Sequence, residues 1–150
     1  MIETIKLIFN MCLYCWRKNP RIAKKDIVCY KVLIHLGSGA YVTPYTQRHL
    51  TLAEKKGKVD FVATGDKITL VNLVGLSRFF FRYKISKGYI HTFKNKADAV
   101  EEMTDWRRGK NPPYVFKCII PKGTEYYKGI FGNSSKSYCS DKIRIIEKVA

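Results

Sequence analysis

From Asp26 onward the chain alternates short β-favouring runs with breaks at glycine, proline and asparagine, and this punctuation limits the fold more than any other feature. "DIVCYKVLIHL" is Ile-, Val-, Leu- and Tyr-rich with little polarity and predicts a strand, and "GSGA" predicts a turn. "YVTPY" predicts a short extended piece in which Pro44 bars a central ladder position. Leu50 and Leu52 alternate as in a strand, and "AEKKGK" reads as a turn. "VDFVAT" and "KITLVNLVG" predict two strands around a tight Gly65-Asp66 turn. In "SRFFFRYKIS", Phe79, Phe81, Tyr83 and Ile85 fall on one face, and Phe80, Arg82 and Lys84 on the other. "KGYIHTF", "YVFKCIIP" and "DKIRIIEKV" predict further strands, with "TEYYKGIFGNSSKSYCS" a Gly- and Ser-rich excursion before the last.

One segment breaks the pattern. "NKADAVEEMTDWRR" predicts a helix over about 95–108. Asn95 is placed as N-cap, Asp98 suits the positive end of the helix dipole, and Ala99, Val100, Met103 and Trp106 form an apolar stripe. Gly109 is a stop signal. The apolar run Ile5 to Trp16 predicts a second helix over 2–16, ending before Pro20. The expected architecture is α+β: a mostly antiparallel sheet, one packed helix and an N-terminal helix, with residues 1–19 a helical segment and 20–150 a single domain. The N-terminal run falls short of the ~20 residues a membrane span needs. Its strong charges, Arg17 and Lys18, follow the apolar run instead of preceding it as in a secretory signal. No transmembrane segment is expected.

Charge is the main pointer to partners. Twenty-eight Lys and Arg against twelve Asp and Glu leave a net +16, and such a field attracts polyanions: nucleic acid, anionic lipid or an acidic protein surface. The plainer account is solubility, since the cations are scattered with no block of five. The sharpest local candidate is Arg78, Phe80, Arg82 and Lys84, where an aromatic ring lies among cations on one face of a strand. The Gly-containing strand consensus of the RNA-recognition motif is absent.

Five cysteines are a poor basis for a secreted disulfide framework and favour a reducing, cytoplasmic setting. Cys12 and Cys15 have the spacing of half a zinc site, but Cys29, Cys118 and Cys139 stand singly and His35, His49 and His91 are dispersed. Two small apolar side chains on a partly buried helix are the favoured account of the pair, and zinc the minority one. His91 has no nucleophile or carboxylate beside it in sequence, so a hydrogen-bonded structural role outweighs that of a general base. Phosphate-loop, dinucleotide-binding, zinc-protease and serine-hydrolase signatures are all missing.

Three stretches carry a resemblance: "IAKKDIVCYKVL" with "YVTPY", "GYIHTFKNKADAV", and "VFKCIIPKGTEYYKG" with "SYCSDKIRII". Together they resemble a loose group of small proteins from gut bacteria and their phages, a group with no assigned activity. The resemblance implies a phage or prophage setting, with the protein in the cytoplasm of a bacterial host or in the virion. The order of elements is also similar to ADP-ribosyltransferase-type folds, which implies NAD as cofactor and a cleft holding Tyr30, His91 and Asp141. Those enzymes carry a Glu ahead of the last strand, where this chain has Ser140 and Asp141. The leading expectation is a small basic protein that binds a polyanion, such as nucleic acid, or an acidic host protein, without catalysis and without a cofactor. The alternatives are an NAD-dependent ADP-ribosyltransferase-like protein with an incomplete catalytic set, and a structural, virion-associated protein. The sequence leaves the oligomeric state open.

Overall fold

A computed structural model describes residues 13–15, 19–44, 48–65, 70–72, 83–85, 90–107, 109–131 and 135–150. They form β1 (Leu13–Cys15), β2 (Arg21–Ile22), β3 (Ile27–Gly37), β4 (Ala40–Val42), β5 (His49–Thr51), β6 (Lys58–Thr64), β7 (Leu70–Asn72), β8 (Tyr83–Ile85), β9 (Ile90–Phe93), a helix (Lys96–Trp106), β10 (Pro113–Ile120), β11 (Glu125–Phe131), β12 (Ser135–Ser140) and β13 (Lys142–Lys148). The strands make one sheet in the order β6-β13-β10-β3-β9-β12-β11-β1-β8-β7, with β2 beside β11 and with β4 and β5 extending from β3. Neighbouring strands run antiparallel throughout these pairings, most of them between strands distant in the chain.

The sheet is apolar on both faces at its centre, so alternating residues of one strand serve two different cores. Cys29 and Leu33 of β3 join Phe116, Cys118 and Ile120 of β10 and Ile143 and Ile145 of β13 in the larger cluster, which we call the inner face. Val32 and Val115 point the other way and pack with Phe93, Cys139, Ala99 and Met103, so the helix covers this second face. Ala99 and Met103 are the helix's buried residues, in agreement with the stripe expected from spacing. The β3–β4 turn runs through Gly37, Ser38 and Gly39, all at positive φ. At Gly39 a side chain would meet Leu52 O at 2.9 Å, so only glycine lets the end of β5 close against the start of β4.

Four expectations need correction. Leu13–Cys15, inside the helix expected over 2–16, is strand: it pairs with β11 and β8 within the sheet. An edge to pair with outweighed local helical spacing there; residues 1–12 lie outside the described residues. Second, β6 and β7 are not hairpin partners. β6 pairs with β13 and β7 with β8, at opposite ends of the strand order. Third, the Gly- and Ser-rich stretch after Thr124 is no excursion but the hairpin β11–β12, with Tyr126 and Tyr138 buried. Fourth, Asn95 occupies the N-cap position in extended geometry, but its side chain reaches Asp98 at 3.4 Å and caps no backbone N–H.

Candidate functional site

Register brings unpaired positive charge together on one part of the inner face. On β12, Lys136 lies opposite Ile130 of β11, and Lys94, continuing β9, donates its N–H to Lys136 O at 3.0 Å. Ile130 lies opposite Tyr14 of β1, which lies opposite Lys84 of β8. Directly opposed positions share a face, so the positions of Lys94, Lys136, Ile130, Tyr14 and Lys84 form one transverse row over five strands. At about 4.8 Å per strand the row spans roughly 19 Å. One step along, Lys128 of β11 sits opposite Tyr138. Lys94, Lys128 and Lys136 are exposed. Among the described residues none of their side chains has a hydrogen-bond or ion-pair partner.

This arrangement works against stability. Like charges directly opposed across an antiparallel pair repel, costing about 0.2–1 kcal/mol each. Twelve acids cannot neutralise twenty-eight cations, so some repulsion is inevitable in this chain. The fold concentrates the remedy elsewhere: Arg144–Asp60 at 2.8 Å and Lys58–Glu147 at 2.9 Å tie β13 to β6, and Lys148 meets Glu54 at 3.0 Å. The carboxylate of Glu147 is held below its usual range by Lys58. Among the described acids, Asp98, Glu101, Glu102 and Asp105 lie on the helix, on the other face of the sheet.

Of the nucleic-acid set read from the sequence, Lys84 is in the row, while Arg78, Phe80 and Arg82 lie outside the described residues. Lys94, Lys128 and Lys136 were not legible as a group. They are up to 42 residues apart (136 − 94 = 42), and only register makes them neighbours.

The Tyr30, His91 and Asp141 set is spread along the sheet. Tyr30 on β3 lies opposite Phe93, His91 lies opposite Cys139, and Asp141 follows the last residue of β12. Tyr30 and Asp141 therefore flank His91 on opposite sides, each displaced by two residue steps, roughly 6–7 Å along the strands. Burial, and then the Lys31 charge, hold His91 well below the usual histidine range, so it is neutral at pH 7. Its Nε2 meets Ser137 Oγ at 2.9 Å, and that hydroxyl donates to Ser135 O, which assigns the ring proton to Nε2. With the Phe93 ring edge-on at 4.6 Å, His91 is locked in place.

Cys15 is buried in the helix-side cluster with Cys139, and Cys12 lies outside the described residues. No group of three or more His, Cys, Asp or Glu able to hold a metal occurs among the described residues. No helix among them is long and apolar enough to cross a membrane. Comparisons with protein-family models, curated proteins and solved structures find no match to the chain.

Proposed function

We propose that the protein is a binding module for an extended polyanion, with single-stranded nucleic acid the best-fitting class, held across the β9–β12–β11–β1–β8 row. The observation that carries this reading is the set of exposed lysines, Lys94, Lys128 and Lys136, standing beside one another without partners among the described residues while ion pairs gather at β13–β6. Phosphates laid over the row would relieve the Lys94–Lys136 repulsion and release counterions. Tyr14, next to Lys84 in the row, occupies a register position that an aromatic stacking contact would use.

The test is fluorescence anisotropy with a labelled oligothymidine and with a heparin fragment, over a salt series from low ionic strength upward. Binding that weakens steeply with salt, and weakens further in Lys94→Gln/Lys128→Gln/Lys136→Gln, supports the reading. Absence of binding at low salt sinks it, because phosphate contacts are strongest there. Binding of heparin with none of oligothymidine would keep the polyanion site and remove nucleic acid as its ligand. The phage or prophage setting, as a resemblance, is compatible with such a role.

A further inference from the structure

A second constellation lies on the inner face beside the exposed row, since Thr92 lies opposite Tyr138, which lies opposite Lys128. The ladder between β3 and β9 is one pair long, Tyr30 with Phe93. Alternation along β9 sends the Lys94 N–H toward β12 and therefore the His91 carbonyl toward β3, where the ladder has already opened. Lys31 fills the place of the missing backbone donor: its Nζ donates to His91 O at 2.8 Å. An ammonium has three donors, and among the described residues Lys31 makes no further hydrogen bond and no ion pair. The next residue along β9, Thr92, is fully buried, and its Oγ1 has no hydrogen-bond partner among the described residues. The nearby Thr92 hydroxyl slightly lowers the Cys29 thiol's proton affinity, but the two do not meet in hydrogen-bond geometry.

The surroundings supply no counter-charge. Burial pushes the Cys29 thiol up to about 11 and those of Cys118 and Cys139 well above the usual range, so all three are neutral at pH 7. His91 is neutral as well, and Arg48 adds positive potential. By surface area Lys31 is only half-buried, while the protein around its amine is packed as in the interior. The first governs access and the second governs proton affinity. Burial pulls the amine down to about 8, which still leaves it mostly charged at pH 7. A desolvated cation with no anion among the described residues, on a carbonyl next in the chain to a buried hydroxyl with no partner among them, is costly on both counts.

We propose that Lys31 and Thr92 form a small oxyanion site, in which an oxygen of a carboxylate or phosphate group accepts from Lys31 Nζ and another from Thr92 Oγ1. Neither residue is one of the three exposed lysines, so the proposal is tested separately from the polyanion reading.

The test uses the full chain labelled with 13C-lysine, with the Lys31 signal assigned by its loss in Lys31→Arg. The Lys31 titration midpoint is followed in chloride, inorganic phosphate and acetate at matched ionic strength. The expected result is a midpoint raised by at least half a pH unit in phosphate or acetate over chloride, with the increment lost in Thr92→Val. A shift in phosphate alone assigns a phosphoryl ligand, and one in both assigns a site open to carboxylates. Equal midpoints in all three salts overturn the proposal, because screening of the overall charge acts in each. An increment that persists in Thr92→Val, shown folded by its amide spectrum, also overturns it.

Discussion

Two parts of the sheet, its β6–β13 edge and its β9–β12–β11 middle, treat charge in opposite ways. Where β6 meets β13, cations are matched by acids across the ladder: Lys58 with Glu147 and Arg144 with Asp60. Where β9, β12 and β11 meet, Lys94 and Lys136 stand directly opposed, with Lys128 diagonal to them and no acid paired with any of the three among the described residues. Backbone pairing is antiparallel in both places, so the difference lies in the side chains. A chain with sixteen more cations than acids must leave charge unpaired somewhere, and this one gathers part of that excess on a single contiguous surface. Repulsion retained in a folded structure is a functional signal when a ligand can relieve it.

The comparison can be broken most directly by reversing charge at each place. Lys94→Glu/Lys128→Glu/Lys136→Glu should weaken oligothymidine binding at low salt by about 100-fold or more, whereas Lys58→Glu/Arg144→Glu should change it by less than about 10-fold. Anisotropy titrations measure both, and equal losses would mean that overall charge, not the row, does the binding. Neutralising the three row lysines to Gln should also make the slope of log K against log salt shallower by about 2–3, from roughly 0.7–0.9 for each phosphate no longer neutralised.

Next in size is a pH effect at Lys31. Its folded value of about 8 lies below the ~10.4 of an unfolded lysine, so between these values the unfolded chain holds the extra proton and folding gains as pH rises. Lys31→Met lacks this gain. Whatever its offset at pH 7, denaturant melts up to pH 10 should move in favour of the wild type by up to about 3 kcal/mol. His91 has the same sign in a lower window. Its depressed folded value means that the unfolded chain takes up the proton first as pH falls through about 6.5, so stability should drop from pH 7 toward 5. Thermal melts of His91→Gln should show a flatter profile there, and an unchanged slope would mean that His91 is solvated.

The smallest effect sharpens the contrast further. Lys136→Glu alone should raise stability by about 0.2–1 kcal/mol at low salt while weakening polyanion binding, whereas Lys58→Ala at the paired end should lower stability by less than about 1 kcal/mol. Opposite signs at the two places, read by chemical denaturation, are the outcome expected of a row kept for binding.

Much of the secondary structure was legible because each signal is local. β-Favouring residues with little polarity in "DIVCYKVLIHL" marked β3, and the spacing of Ala99 and Met103 marked the helix face that is buried. Leu13–Cys15 misled because three apolar residues suit a helix as well as a strand, and the decision came from the edges of β11 and β8. The Gly65-Asp66 pair misled because a turn signal does not say which strands will pair across it. The hydrogen bond of His91 is visible only in the fold, because its partner Ser137 lies 46 residues away.

Taken by itself, the sequence determined the strand-rich composition, the helix over Lys96–Trp106 and the excess of sixteen positive charges, since each follows from local spacing or simple counting. Only the tertiary structure decided which charges meet. Strand order and register set Lys94 against Lys136 and brought Lys84 into their row, and the early opening of the β3–β9 ladder left the His91 carbonyl, next to Thr92 in the chain, to Lys31. The physical reason is that a sheet pairs residues by register, across strands distant in the chain, and a one-residue slip would send every one of these side chains to the other face.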